Sequence, residues 1–295
     1  MLKMSLPVWL LALGMAAYAD VVVKDDTGQM VRLAAPAKRI VSLAPHVTEN
    51  LFAAGAGAVV VGVVEHSDFP LVAKEIAHVG GYSRLDLERV AALKPDLVIA
   101  WESGNAKGQV EKLRSLGLTV FVTQSNEMDD IAVQLENFGK LTGTEKVANA
   151  AAKKFRQRLA SLQKQYSGMA SVRVFYQVWK QPLMTVGGQQ IISKAIRLCG
   201  GENVFGQLGA LAPSVSVEAV LAAKPEVIVA SGMGESRPDW VDDWNQWKSM
   251  PAVTNNHLYF IPPDLIQRHT PRLLEGTERL CGFIDKARKH NQVGG

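Results

Sequence analysis

One sixteen-residue segment occurs twice in the chain, and this internal repeat constrains the fold more than any other feature. Residues 85–100 align without a gap to residues 215–230, at an offset of 130 positions, and six of the sixteen residues are identical. Each copy predicts a short helix, a Lys-Pro stop and a buried strand, because proline cannot continue a helix and restricts the residue before it. The repeat therefore predicts two similar α/β halves.

Each copy of the repeat also carries one glutamate near the start of its helix, Glu88 in the first and Glu218 in the second. The helix macrodipole favours a negative charge in the first turn, so each glutamate has an ordinary structural explanation. The functional alternative is that two acids at equivalent places on two lobes bind two basic sites of a two-fold symmetric partner.

Strand and helix patterns alternate in both halves, which predicts parallel sheets with helical crossover connections. The fold class is therefore α/β, with two Rossmann-like lobes. Residues 21–33 predict a hairpin. Thr48 is predicted to cap a helix at residues 49–54. The remaining predicted elements are strands at residues 39–43, 59–64, 96–100, 119–122, 172–178, 226–230 and 258–261, and helices at residues 109–116, 191–198 and 273–288.

The middle of the chain is helical, with predicted helices at residues 127–141 and 145–166. In the second helix apolar residues recur every three or four positions, which indicates one buried face along about six turns. The members of this stripe are Val147, Ala148, Ala151, Phe155, Leu159, Leu162 and Tyr166. A helix of this length between two α/β halves is expected to act as a rigid strut.

The first nineteen residues are typical of a secretory signal peptide. Lys3 precedes a short apolar stretch, and Ala17-Tyr18-Ala19 is a small-x-small cleavage site that would leave Asp20 as the first mature residue. The alternative is an uncleaved membrane tether. The predicted division of the chain is a signal peptide at residues 1–19, an N-terminal lobe at 20–142, a linking helix at 143–168 and a C-terminal lobe at 169–295.

The cysteine content and the charge narrow the function classes. The two cysteines, Cys199 and Cys281, favour a disulfide in an exported chain, and two unrelated buried thiols are the alternative. The formal net charge is +4 with no Lys/Arg run longer than two. Nucleic-acid-binding domains cluster their positive charge, so no nucleic-acid partner is expected. No nucleophile elbow, zinc-protease motif or P-loop occurs, so the sequence does not predict an enzyme, and an exported enzyme remains a remote alternative.

Four segments, residues 39–49, 63–70, 87–101 and 199–205, resemble corresponding segments of a known family. That family is the class III periplasmic binding proteins, whose two lobes are joined by one long helix. The resemblance implies a periplasmic, monomeric subunit that serves an ABC importer with a permease dimer and ATPase subunits. It implies that Glu88 and Glu218 pair with arginines of the permease, and that Cys199 and Cys281 form a disulfide.

Within this family, several loops are similar to those of the cobalamin-binding members. The similar loops are residues 44–46, 67–70, 100–105 and 263–268, the last resembling a stretch whose Asp and Arg contact the corrin. The resemblance implies cobalamin or a related corrinoid as cargo, with no cofactor. The implied ligand-binding residues are His46, His66, Ser67, Asp68, Tyr82, Trp101, Asn105, Trp179, Asp264, Gln267 and Arg268.

These residue types suit a large flat ligand with amide side chains. Tyr82, Trp101 and Trp179 offer rigid apolar faces with one polar tip each, although core packing is the alternative for each ring. Amide, carboxylate and guanidinium groups can bond the ligand's amides. His46 and His66 can either ligate a metal centre or simply donate and accept hydrogen bonds.

Two departures from the family pattern leave other cargoes open. His66 stands where the family often has Tyr, and Ala212 stands where Trp is expected before Pro213. Haem and ferric siderophores are the alternative ligands. A haem carrier requires an axial Tyr or His, and a carrier of an anionic siderophore requires several cations, for which Arg84 and Arg268 are the main candidates.

Overall fold

The structure is a computed structural model that describes residues 20–232, 234 and 236–293. The predicted signal peptide lies outside the described residues. The N-terminal lobe comprises β1 (Val21–Lys24), β2 (Met30–Leu33), β3 (Ile40–Ser42), α1 (Pro45–Ala53), β4 (Val60–Val63), β5 (Gly80–Gly81), β6 (Arg84–Leu85), α2 (Leu87–Ala92), β7 (Leu97–Trp101), α3 (Lys107–Ser115), β8 (Val120–Thr123) and α4 (Asp130–Thr142). None of the described helices is both long and apolar enough to span a bilayer.

A single helix, α5 (Glu145–Tyr166), leads into the C-terminal lobe. That lobe comprises β9 (Val172–Gln177), α6 (Ile191–Leu198), β10 (Gly201–Asn203), α7 (Val217–Ala223), β11 (Val227–Ala230), α8 (Pro251–Thr254), β12 (Leu258–Phe260), α9 (Pro263–Ile266) and α10 (Leu273–Val293). The predicted strands and long helices are thus present, with ends shifted by a few residues.

Each lobe is built on one four-stranded parallel sheet. The strand order is β4-β3-β7-β8 in the first and β10-β9-β11-β12 in the second. If the strands of each sheet are numbered along the chain, both orders read 2-1-3-4, so the order reverses beside the first strand. In open parallel sheets ligands bind outside the carboxyl ends of the strands at this reversal. The predicted class, two Rossmann-like lobes bridged by one long helix, is confirmed.

The repeated segment adopts the same structure in both lobes. Asp86 caps α2 by accepting from the Arg89 amide at 3.0 Å, and Ser216 caps α7 by accepting from the Ala219 amide at 3.2 Å. The strand that follows each helix, β7 or β11, lies third in its sheet and is buried along residues 97–100 or 227–230. The repeat therefore predicts corresponding positions in the two lobes.

The linking helix α5 is tied to both lobes by ion pairs. Arg156 contacts Asp129 and Glu136 in the N-terminal lobe. Arg158 donates to both carboxylate oxygens of Glu278 in α10, at 2.7 and 2.6 Å. Its predicted apolar stripe is only partly correct. Ala148, Ala152, Phe155, Leu159 and Leu162 are buried, whereas Val147 is 52% exposed at the start of the helix.

Two further predictions have opposite outcomes: the helix cap at Thr48 is wrong, and the disulfide is confirmed. Helix α1 begins at Pro45, so Thr48 lies inside the helix and the prediction that it caps the helix is wrong. The Thr48 hydroxyl instead bonds the Ser42 hydroxyl at 2.8 Å, because both side chains are buried beneath the loop that follows β3. The disulfide between Cys199 and Cys281 joins the end of α6 to α10, and both residues are fully buried.

Candidate ligand-binding site

A cavity of about 360 Å³ lies between the two lobes, at the carboxyl ends of both sheets. The N-terminal lobe contributes Tyr82, Trp101, Ser103, Gln124, Ser125 and Asn126 to its wall. The C-terminal lobe contributes Val178, Val186, Gln189, Gln190, Ile191, Ile192, Leu211, Ala212, Gln267 and His269. Loops that follow β7 and β8 of one sheet and β9 and β12 of the other therefore meet in one cleft, at the carboxyl ends of strands, where open parallel sheets bind ligands.

Trp101 forms the aromatic wall of the cavity together with Tyr82. The two ring centroids are 5.8 Å apart, and the planes are inclined by 50°. The next turn is built around the indole: a Cβ at Gly104 would lie 1.8 Å from Cε3 of Trp101. Only glycine fits beneath the ring, so the sequence Trp101-Glu102-Ser103-Gly104 fixes where the indole lies.

Asn105 holds this wall in place from below. Its amide nitrogen donates to the carbonyls of Leu43 at 2.9 Å and Tyr82 at 2.7 Å, and its Oδ1 accepts from the Trp101 amide at 2.7 Å. The residue is only 6% exposed. Because these bonds link three loops and occupy the side chain, Asn105 positions the aromatic wall and does not face the cavity.

Two buried histidines, one from each lobe, lie beneath and beside the indole. His46 packs edge-on against Trp101 at 5.0 Å, and its ring is 5.8 Å from that of His269. Burial, with the neighbouring His269 and Arg268 charges, lowers the pKa of His46 to about 3. Burial lowers the pKa of His269 to about 4. Both imidazoles are therefore neutral at pH 7, and of these two residues only His269 lines the cavity.

A charged cluster joins the lobes beside the cavity. Arg268 donates to Asp68 at 2.6 Å and to the His66 carbonyl at 3.2 Å, both in the N-terminal lobe, and lies 3.1 Å from Asp264 in its own lobe. Partial burial raises the pKa of Asp68, but the hydrogen bond and charge of Arg268 outweigh it and hold that pKa below its ordinary value. The guanidinium is thus already bound to protein groups.

A second ion pair between the lobes is more deeply buried. Arg272 donates to both carboxylate oxygens of Glu49, at 2.7 and 2.6 Å, and its guanidinium lies 3.8 Å from the centre of the Phe69 ring. The side chain of Glu49 is 3% exposed. Such a buried carboxylate depends on its partner, so this pair is expected to be costly to break.

The C-terminal lobe supplies amide groups to the cavity. Gln267 donates to both the carbonyl and the hydroxyl of Ser231, the residue directly after β11. Gln189 and Gln190 approach from the start of α6, where the Gln190 side chain also caps the helix. The wall opposite the aromatic rings is thus rich in hydrogen-bonding groups.

The structure separates the predicted ligand-binding residues into four groups. Tyr82, Trp101 and Gln267 line the cavity, whereas His46, Ser67 and Asn105 are buried away from its wall. His66, Asp68, Asp264 and Arg268 form the charged cluster. Trp179 is 37% exposed and its indole donates to the Gln181 carbonyl, so the prediction that it offers a ligand face has no support from this cavity.

Sequence reasoning missed several residues of the wall. Gln124, Ser125 and Asn126 directly follow β8, so the rule for carboxyl ends of parallel strands predicts them once that strand is recognised. Gln189 and His269 follow no strand directly, and no periodic pattern marks them. The two glutamates of the repeat, Glu88 and Glu218, are exposed in the first turns of α2 and α7, outside the cavity.

Two α/β lobes joined by one helix around a cleft define a bilobal binding protein. The periplasmic binding protein family model matches residues 40–265, and the chain belongs to this family. The family resemblance read from the sequence is thereby confirmed.

Individual relatives agree with this assignment. The vitamin B12-binding protein of Vibrio parahaemolyticus serotype O3:K6 is 38% identical over 86% of this chain and 92% of its own length. The crystal structure of the periplasmic vitamin B12 binding protein BtuF of Vibrio cholerae aligns with a TM-score of 0.80 and 37% identity, covering 86% of this chain and 99% of that one. The periplasmic heme-binding protein RhuT from Roseiflexus sp. RS-1 shares the fold, with a TM-score of 0.74 at 22% identity over 85% of this chain and 99% of its own.

Proposed function

We propose that this chain binds cobalamin in the cleft between its lobes and delivers it to an ABC importer, without catalysing a reaction and without a cofactor of its own. Relatives at 35–38% identity over most of the chain are named vitamin B12-binding proteins. Haem binders are similar at the level of the fold, at 22% and 18% identity.

The observation that carries the proposal is the pairing of an aromatic wall with an amide wall. Tyr82 and Trp101 present flat rings on one side, and Gln189 and Gln267 present amides on the other. The corrin of cobalamin is a flat macrocycle fringed with amide side chains. Rings bury its apolar faces, while glutamine donors and acceptors match its fringe.

The size of the cavity implies that the lobes move or that the ligand protrudes. Sites for drug-sized ligands measure about 300–1,000 Å³, and this cavity of about 360 Å³ is at the lower end of that range. Cobalamin is larger than most drugs, so entry requires the lobes to separate or part of the ligand to remain in solvent.

Calorimetric titration of the mature chain with cobalamin, haem and a ferric hydroxamate siderophore tests the cargo. We expect cobalamin to bind with a Kd below about 1 µM, equivalent to about −8 kcal/mol. Trp101→Ala should weaken this binding at least tenfold, whereas Trp247→Ala, which removes an indole outside the cavity, is the matched control. Binding of haem or siderophore with no corrinoid binding would contradict the proposal.

We also propose that Glu88 and Glu218 contact the permease of the importer. They are exposed, occupy the same position of the repeat, and lie one on each lobe. Uptake of cobalamin should be lost in Glu88→Lys/Glu218→Lys while ligand affinity changes less than twofold. Glu145→Lys reverses an exposed first-turn glutamate of α5 and should leave uptake intact. A loss of affinity in the double variant would place the two acids in ligand binding instead.

Export through a cleaved signal peptide completes the proposal. The family is periplasmic, and the sequence predicts cleavage after Ala19. Mass spectrometry of the protein released by osmotic shock should give a chain that begins at Asp20. A chain retaining residues 1–19 in the membrane fraction would favour the tether.

A further inference from the structure

His269 occupies a position in the cleft that differs from those of the other histidines near it. It lines the cavity, although it is only 8% exposed. The His46 ring lies behind the indole of Trp101, away from that wall, and His66 is exposed outside the cavity. Of these three imidazoles, only that of His269 can meet a ligand in the cavity directly.

The main chain at His269 is held by the opposite lobe. Its carbonyl accepts from the Asn50 amide of α1 at 3.0 Å. The preceding residue, Arg268, is fixed by Asp68 and the His66 carbonyl. A side chain supported in this way has a defined position, which is what a directed metal–ligand bond requires.

The ring nitrogens of His269 are free to bond a ligand. Among the residues that the structure describes, none hydrogen-bonds this imidazole; Asn50 bonds the main-chain carbonyl of His269 instead. Neutral imidazole is the form that coordinates metals, and burial lowers the pKa of His269 to about 4, which keeps it neutral at physiological pH. A lone histidine suits a metal that arrives with its other ligands in place.

We propose that His269 coordinates the cobalt of a bound corrinoid whose axial position is occupied by water. This inference rests on the proposed function and specifies which corrinoids the cleft holds most tightly. The cobalt–oxygen bond to water breaks, a cobalt–nitrogen bond to the imidazole forms, and water leaves. The cobalt remains trivalent, so no oxidant or reductant takes part.

The consequence is selectivity within one class of ligand. Corrinoids that lack the nucleotide base, such as aquocobinamide, carry a replaceable water and gain the new bond. Dicyanocobinamide has the same ring with both axial positions filled and gains nothing. Both ligands make the same contacts through the corrin ring, so these contacts cancel in the comparison. The difference between their affinities therefore measures the contribution of the cobalt–imidazole bond.

The experiment combines visible spectra with calorimetry on the full mature chain and each of the two cobinamides. On binding aquocobinamide we expect the strongest near-ultraviolet corrin band to move to longer wavelength, as it does when imidazole replaces water on cobalt. His269→Ala and His269→Gln should abolish this shift. The two variants should lower the affinity for aquocobinamide at least tenfold more than the affinity for dicyanocobinamide, a difference of about 1.4 kcal/mol in binding free energy. His290→Ala removes an exposed imidazole on α10 and should preserve the shift.

Two results would overturn the inference while leaving the proposed function intact. One is binding of aquocobinamide to the unaltered chain with an unchanged spectrum. The other is a shift that persists in both His269 variants, which would assign the bond to a different group. If cyanocobalamin and both cobinamides fail to bind the unaltered chain, the proposed function fails and this inference fails with it.

Discussion

The two lobes share a scaffold but not a binding surface. In each lobe a carboxylate just before the third strand of the sheet binds the main chain of an arginine at the start of the first strand: Asp96 accepts from the Arg39 amide at 3.1 Å, and Glu226 accepts from the Arg173 amide at 2.8 Å. Both arginine side chains then bond a carbonyl at the end of the repeat helix, Leu93 or Lys224. The repeat is therefore preserved in polar detail as well as in apolar pattern.

The lobes differ where these strands end. Strand β7 ends at Trp101, whose indole walls the cavity, whereas β11 is followed by Ser231, whose hydroxyl and carbonyl position Gln267. The N-terminal lobe thus supplies both aromatic rings together with the amides of Gln124 and Asn126, and the C-terminal lobe supplies amides and an imidazole. Recognition residues have diverged in loops on a common framework, which is where binding residues generally lie.

The disulfide lies in the C-terminal lobe, so its removal should affect the two lobes unequally. Replacing Cys199 and Cys281 by alanine opens a loop of 82 residues. Chain-entropy arguments give a loss of about 4 to 5 kcal/mol for a loop of that size. Amide hydrogen exchange should show reduced protection in β9 and β11 with little change in β3 and β7. Equal loss in both sheets would mean that the lobes unfold as one unit.

The two buried histidines, His46 and His269, lie in different lobes and should contribute equally to the pH dependence of the protein's stability. Both pKa values lie below the ordinary 6.5, so the unfolded chain takes up protons first. Stability is then complete above about pH 6.5 and falls as the pH drops towards 4. Each histidine should cost about 2 kcal/mol at pH 5.

Urea unfolding at pH 7.5 and pH 5 measures this dependence. His46→Gln and His269→Gln should each remove about half of the histidine contribution, because both folded pKa values lie below 5. His78→Gln alters an exposed histidine and is the control. A pH dependence unchanged in both single variants would show that these two rings do not remain neutral in the fold.

The sequence predicted the scaffold far better than the cleft, for a physical reason. Buried strands such as β7 and β11, and the face of α5, repeat with a fixed period, so local sequence reveals them. The cavity depends on which loops the folded sheets bring together. His269 and Gln189 belong to it through tertiary contacts, and Trp179, which was predicted from its place after a strand, does not. Asn105 was predicted as a ligand contact but supports other loops, because its amide is buried.

Gly104 tests whether the aromatic wall must be rigid. A methyl group there would collide with Trp101, so Gly104→Ala should displace the indole and cost about 1–3 kcal/mol of stability, as overpacking usually does. Affinity for the ligand should fall with it. Gly108→Ala adds a methyl group in α3 where no heavy atom lies within 4 Å, and should lower neither property, since alanine favours the helix over glycine. Unchanged tryptophan fluorescence and affinity in Gly104→Ala would show that the wall adapts.

The smallest expected effect is also the most direct test of equivalence between the lobes. Asp86 and Ser216 cap the two repeat helices in the same way, so Asp86→Ala and Ser216→Ala should each cost about 1 kcal/mol. Asp86→Asn retains an acceptor and should restore most of the loss. The caps are in different lobes and share no partner, so the double variant should lose the sum, about 2 kcal/mol, in chemical denaturation. If the lobes are equivalent, the costs of the single variants should differ by no more than about 1 kcal/mol. A larger difference would mean that the two copies of the repeat, although alike in sequence and geometry, contribute unequally to the free energy of unfolding.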